Sequence, residues 1–383
     1  MSCAKIVVAP DSYKGSASAS EVASAMCRGI KRVEPDAETV SVPMADGGEG
    51  TVRALVDATA GKVIDISVTG PLGKKVDAFY GVLGDGRTAV IEMAAAAGLP
   101  LVPRSELNPL ATTTFGVGEI VKHALECGCN RIIMGIGGSA TNDGGAGMAQ
   151  ALGASLLDSK GEEIGWGGAA LGDLALIRTD SLDPRARHAE FVVACDVDNP
   201  LHGERGAARV FGPQKGATPD MVDILDRALA KYGEIIEAQI GIRVSCVPGS
   251  GAAGGLGAGL MAFFGATLMS GIDLVIDVVN LDAKMRGACL IFTGEGKMDG
   301  QTLMGKVPQG VARTARKHSL PVIAVVGSFE QPTQALHEAG IDAVVAASHG
   351  PQSLECAMAN AEENIEVATE QVYRVFRAAR KVR

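Results

Sequence analysis

Apolar residues come in short runs near both ends of the chain, and each run gives way to helical spacing. Ile6-Val7-Val8-Ala9 reads as part of a buried strand over 5–9 that stops at Pro10. Ser18 and Glu21 then form the S-x-x-E pattern of a capping box, and Val22, Met26 and Ile30 recur at the helical interval, so a helix is predicted from Ser18 onward. Residues 39–42 read as a second strand and 51–58 as a second helix. From about 62 to 93 the pattern changes. The segments 63–68, 76–82 and 88–93 alternate every second residue between Gly and Pro turns, which predicts an antiparallel β patch. The middle is mixed, with strands over 131–134 and 191–195 and helices over 116–126, after Asp143, over 220–239 and over 253–264. Towards the end regular alternation returns, with strands at 289–292, 322–326 and 343–346. Helices over 307–317 and 333–338 separate them, and a long helix over 354–377 closes the chain.

Strands separated by single helices imply parallel βαβ units with right-handed crossovers. The expected fold class is therefore α/β with two domains. Both chain ends, 1–65 and 286–383, build one doubly wound parallel sheet, and 66–285 forms an inserted mixed α/β domain.

The chain's 383 residues are 47% hydrophobic and 21% charged, which supports a packed core of that size and argues against disorder. Aromatics are only 4% while glycines number 50, so the core rests on aliphatic side chains and close backbone approaches. A formal charge of −9 excludes a general nucleic-acid binder, which needs a basic face. No leader-like segment precedes the first strand run, and no apolar stretch free of Gly and charge reaches membrane-spanning length. The eight cysteines show no metal-binding spacing. A reduced, cytoplasmic protein with no membrane partner is expected.

Four glycine-rich segments carry the chemistry. They begin at Met44-Ala45-Asp46-Gly47-Gly48-Glu49, Gly135-Ile136-Gly137-Gly138-Ser139, Gly249-Ser250-Gly251 and Thr293-Gly294-Glu295-Gly296-Lys297. Glycine lets backbone N–H groups close on an anion, and neighbouring acids suit a metal or a proton acceptor beside it; the pairing points to phosphoryl transfer. The turn Asp11-Ser12-Tyr13-Lys14-Gly15-Ser16 lies between a strand and a helix, where α/β sheets bind ligands. Lys14 is its candidate anion contact and Ser12 its candidate donor, although a solvated turn would explain the same residues. Asp46 follows the second strand in the same way. Asp196 and Asp198 follow a strand at i and i+2, which would turn both to one side, to share a metal or divide base and cation roles; an Asx turn before Pro200 is the plainer reading. The segment 300–307 nearly matches G-x-x-x-x-G-K-[ST], but Val307 lacks the hydroxyl, so a P-loop is rejected and Lys297 and Lys306 remain as single donors. Gly249 to Gly254 matches G-x-G-x-x-G, which keeps an NAD-dependent hydroxyacid dehydrogenase open as an alternative. A non-catalytic nucleotide or metabolite sensor is a second.

Six ordered blocks resemble the bacterial type I glycerate kinase family: Ala9 to Ser16, Pro43 to Thr51, Gly137 to Gly145, Cys195 to Leu201, Phe211 to Ala217, and Thr293 to Asp299. The resemblance implies a Rossmann-like discontinuous domain and ATP-dependent, magnesium-dependent phosphorylation of D-glycerate, at the 2-hydroxyl or alternatively the 3-hydroxyl. It implies small-molecule substrates as partners and leaves a homodimer open. On this basis Asp196, Lys14 and Asp46 are the expected catalytic groups, with Asp196 the favoured base. Ser12, Gly15, Gly137, Gly138, Ser139, Gly294, Glu295 and Lys297 are expected to hold ATP. Asp11, Asp46, Asp198 and Lys215 are expected to meet glycerate, and Asp198 and Asp299 to hold magnesium.

Overall fold

The computed structural model describes residues 4–303 and 305–380. One cysteine, Cys3, and Met304 of the 300–307 segment lie outside them. The fold is mixed α/β with parallel sheets, as expected. The chain divides into two compact units. One comprises Met1–Asp46, Arg53–Ala60 and Gly271–Arg383; the other comprises Gly47–Val52 and Gly61–Ser270.

The first unit is built on a five-stranded, all-parallel sheet in the order Ala343–Ala346, Val322–Val326, Leu290–Thr293, Lys5–Val8, Glu38–Ser41. Chain order reverses between Lys5–Val8 and Leu290–Thr293. A doubly wound sheet opens a crevice at such a reversal, beyond the carboxyl ends of its strands. Those two strands continue as a matched pair of turns, with Ala9 N–H donating to the Phe292 carbonyl at 2.8 Å and Asp11 N–H to the Gly294 carbonyl at 2.8 Å. The predicted capping box is present at Ser18 and Glu21 of helix Ala19–Val33, whose face of Val22, Met26 and Ile30 is fully buried. Helix Ala361–Arg380 lies against it. Gly29 permits this approach, since a Cβ there would collide with the Glu366 carbonyl oxygen. The long closing helix predicted from the sequence is two helices, Leu354–Ala359 and Ala361–Arg380, interrupted at Asn360.

The second unit holds a six-stranded mixed sheet in the order Thr267–Met269, Glu190–Ala194, Arg131–Gly135, Thr88–Glu92, Lys75–Val82, Lys62–Thr69. The first four strands run parallel and the last two pair antiparallel, which is the β patch read from the alternation at 63–93. Two sequence readings need correction here. The strand before Asp196 ends at Ala194, so Asp196 and Asp198 stand on an exposed loop and the strand-spacing argument for them fails. Around Gly249 no strand precedes the glycines, and Ala253, Gly254 and Gly255 take positive φ at the start of helix Ala252–Phe264. Gly254 packs directly on the Thr141 carbonyl, where a Cβ would clash. These glycines therefore serve close packing, and the dinucleotide-binding geometry that supported the dehydrogenase alternative is not formed.

Candidate active site

Each unit carries one polar cluster at the carboxyl ends of its central strands. In the first unit, Asp11 and Glu295 stand on the paired turns described above, and Asp46 follows Glu38–Ser41. Ser12 N–H donates to Asp11 Oδ1 at 2.6 Å. Burial, then the neighbouring Asp46 and Glu295 carboxylates, raise the Asp11 pKa to about 7 against the opposing Ser12 bond. Glu295 is buried and raised chiefly by that burial, with Asp299 and Asp46 adding to it. Two groups hold it down: the Thr302 hydroxyl donates to its Oε1 at 2.6 Å, and Lys306 Nζ lies 3.9 Å from its Oε2. Thr302 also fixes the next acid, accepting from Asp299 N–H at 3.1 Å. Gly294 is buried between strands, where a Cβ would strike the Val325 carbonyl, and Tyr13 donates to that same oxygen at 2.6 Å.

Of the other first-unit candidates, Lys14 and Gly15 are exposed on the turn after Lys5–Val8, and Ser12 is partly buried. Lys297 is exposed and lies 2.6 Å from Glu330 and 3.7 Å from Asp299, so its charge is held mainly by Glu330.

In the second unit the turn after Arg131–Gly135 leaves Gly137 and Gly138 exposed, with Gly138 at φ +74°, and then dives into the core. The amides of Gly137, Gly138 and Ser139 donate to no acceptor among the described residues. One side of the turn is tied down by Leu99 N–H to the Gly138 carbonyl at 2.9 Å and Ala140 N–H to the Ala97 carbonyl at 2.8 Å. From the other side comes Lys215, only 1% exposed, whose Nζ donates to Ser139 Oγ at 2.8 Å and the Thr141 carbonyl at 2.6 Å. Burial lowers the Lys215 pKa to about 7, partly offset by Asp143. Asp143, wholly buried, accepts from Thr114 N–H at 2.8 Å, Thr114 Oγ1 at 2.9 Å, Gly145 N–H at 3.2 Å and Gly147 N–H at 3.3 Å. Burial raises its pKa and these four donors oppose the rise. Asp198 pairs with Arg205 at 2.8 Å, both well exposed.

Asp11, Asp46, Glu295 and Asp299 thus form one electrostatically coupled group, and Gly137, Gly138, Ser139 and Lys215 another. Asp196 and Asp198 stand on the exposed loop that follows Glu190–Ala194. Thr302, Thr114 and Tyr232, which line these clusters, were not singled out from the sequence. Thr302 had one usable signal, its place three residues after Asp299, where a hydroxyl can cap a turn.

A group of carboxylates and an open row of backbone amides, each at the carboxyl ends of parallel strands, suit phosphoryl transfer. A profile of the glycerate kinase family matches residues 6–377. The chain belongs to the glycerate kinase family. It is 53% identical over 361 residues to the glycerate 2-kinase of Escherichia coli K12, covering 94% of this chain and 95% of that protein. It is 52% identical over 362 residues to the glycerate kinase of Bacillus subtilis 168, with the same coverage of 94% and 95%. A crystal structure from Salmonella typhimurium LT2, described as a glycerate kinase 2, superposes with a TM-score of 0.92 at 50% identity, over 99% of this chain and 100% of that one. The enzyme class expected from the sequence motifs, a kinase, is that of these relatives. Among the described residues no helix is long and apolar enough to cross a membrane.

Proposed function

We propose that the protein transfers the γ-phosphoryl group of ATP to the 2-hydroxyl of D-glycerate, giving 2-phosphoglycerate and ADP. The observation that carries the choice of hydroxyl is the 53% identity, along nearly the whole chain, to a protein named glycerate 2-kinase. Two carboxylates, Asp11 and Glu295, whose pKa values are raised by burial and by the neighbouring Asp46 carboxylate, support a divalent cation beside the nucleotide.

Magnesium fits this donor set. No three His, Cys, Asp or Glu side chains among the described residues group tightly enough to cage an ion by themselves. Magnesium is commonly held by one or two carboxylates with phosphate oxygens and water completing the shell. Asp46, Asp11 and Glu295 would supply those carboxylates, with Asp299 adjacent; this shifts the metal role away from Asp198, whose carboxylate is engaged by Arg205. Bound there, the ion would neutralise charge on the phosphates.

The chain's own residues do the rest. The open amides of Gly137, Gly138 and Ser139 cradle phosphate oxygens, and Lys14 and Lys306 add positive charge. Asp196 accepts the proton of the glycerate hydroxyl as that oxygen bonds to phosphorus and the bond to the ADP oxygen breaks. Positioning and charge neutralisation carry such a reaction, so no covalent nucleophile is needed.

The test is an assay of the purified protein with ATP, MgCl2 and D-glycerate, with the product identified by phosphorus-detected NMR. Phosphorus coupled to the C2 proton supports the reading. Coupling to the C3 protons transfers the assignment to the 3-hydroxyl, and absence of ADP formation ends it.

A further inference from the structure

Lysine is seldom buried without a carboxylate hydrogen-bonded to it, because taking an ammonium out of water is costly. Lys215 is buried with no such bond. Its two hydrogen bonds, at 2.8 and 2.6 Å, both go to one turn, at Ser139 Oγ and the Thr141 carbonyl. Asp143, the charge that faces it, is already taken up by four donors on the flanking helix starts. The backbone on either side of Lys215 is fixed: its N–H donates to the Gly212 carbonyl at 3.0 Å, and Gly216 takes φ +91° against Leu107. The amine therefore enters the core from a set direction.

On the far face of the same turn, Gly137 and Gly138 are open to solvent. A lysine that reached a ligand directly would need some exposure, and Lys215 has almost none. Two N–H donors are available from an amine in either charge state, so a pKa drawn down to about 7 does not release the turn.

We propose that Lys215 is a positioning residue: from beneath, it sets Ser139 and the Thr141 carbonyl so that the amides of Gly137, Gly138 and Ser139 converge on a phosphate oxygen. The inference rests on the reading that this turn binds the phosphates of ATP. It replaces the direct glycerate contact expected for Lys215 from the sequence.

Lys215→Ala leaves a space the shape of propylamine. The variant should raise KM for ATP by about tenfold or more, the scale of lost hydrogen bonds to a preorganised site, with kcat changed much less. Propylamine, with at least two N–H donors, should restore KM in part, and propanol, with a single O–H, should not. An unchanged KM in a folded variant, or equal rescue by propanol, overturns the positioning role. If Lys215→Ala does not fold, Lys215→Met keeps the apolar stem, and its KM decides in the same way. Wild-type protein that yields no ADP defeats the proposed reaction itself. Wild-type turnover beside a variant of unchanged KM defeats this inference alone.

Discussion

Replacing Asp11 by Asn should make the protein more stable at pH 8 while removing most of its activity. In the folded protein Asp11 titrates near 7 against an ordinary value of 3.8, because burial and the Asp46 and Glu295 carboxylates oppose its charge. The folded state therefore holds a proton that the unfolded chain has released across this window. Linkage makes stability fall as pH rises from about 4 to about 7, with the favourable contribution complete below the lower value and lost above the upper. At about 1.4 kcal/mol per pKa unit the full shift corresponds to about 4 kcal/mol. The carboxylate is partly exposed, so solvent screening reduces the expected gain to about 2–4 kcal/mol. Asparagine keeps the amide oxygen that accepts the Ser12 N–H, so no buried bond is lost. Urea unfolding of both proteins at half-unit steps from pH 4 to pH 8 measures the difference, and every carboxylate common to both cancels to first order. The Asn variant should match wild type near pH 4 and draw ahead steadily to pH 7. A difference that stays flat over that range would refute the charge-repulsion account of the cluster.

Lys215→Met should abolish a rise in stability between pH 7 and pH 10. A folded pKa of about 7 against 10.5 makes the unfolded chain the greater proton binder there, so wild type gains at up to about 1.4 kcal/mol per pH unit. Tyr13 and Tyr232, both raised by burial, act in the opposite sense above pH 10 and close the window. Thr302→Val strips Glu295 of its hydroxyl donor and should cost about 1–2 kcal/mol in urea unfolding while raising KM for magnesium–ATP. Gly294→Ala drives a methyl into the Val325 carbonyl between central strands, and should lower the midpoint of thermal unfolding by several degrees, the equivalent of about 1–3 kcal/mol. An alanine variant that melts with wild type would show that the two strands have room to part.

What could be read from the sequence was whatever local pattern alone determines. The capping box at Ser18 and Glu21, the alternation over 63–93 and the strand runs at 5–9 and 322–326 needed no knowledge of the rest of the chain, and each element formed within one residue of where the pattern put it. The acid group was half legible. Asp46 and Glu295 sit in glycine-rich turns that announce themselves, but that Asp11 and Glu295 face each other depends on the pairing of Lys5–Val8 with Leu290–Thr293, across most of the chain. No local signal encodes that register. The reading failed where a single apolar residue decided the outcome. The run before Asp196 looked like a strand through Cys195, yet the ladder to Thr267–Met269 and Arg131–Gly135 ends at Ala194, and two aspartates assigned to one face of a strand stand instead on a loop. Lys215 shows what only the fold supplies. Expected from the resemblance to meet glycerate, it is turned inward by the tertiary fold. Its functional weight then lies in two hydrogen bonds to a turn whose outer face carries the open amides.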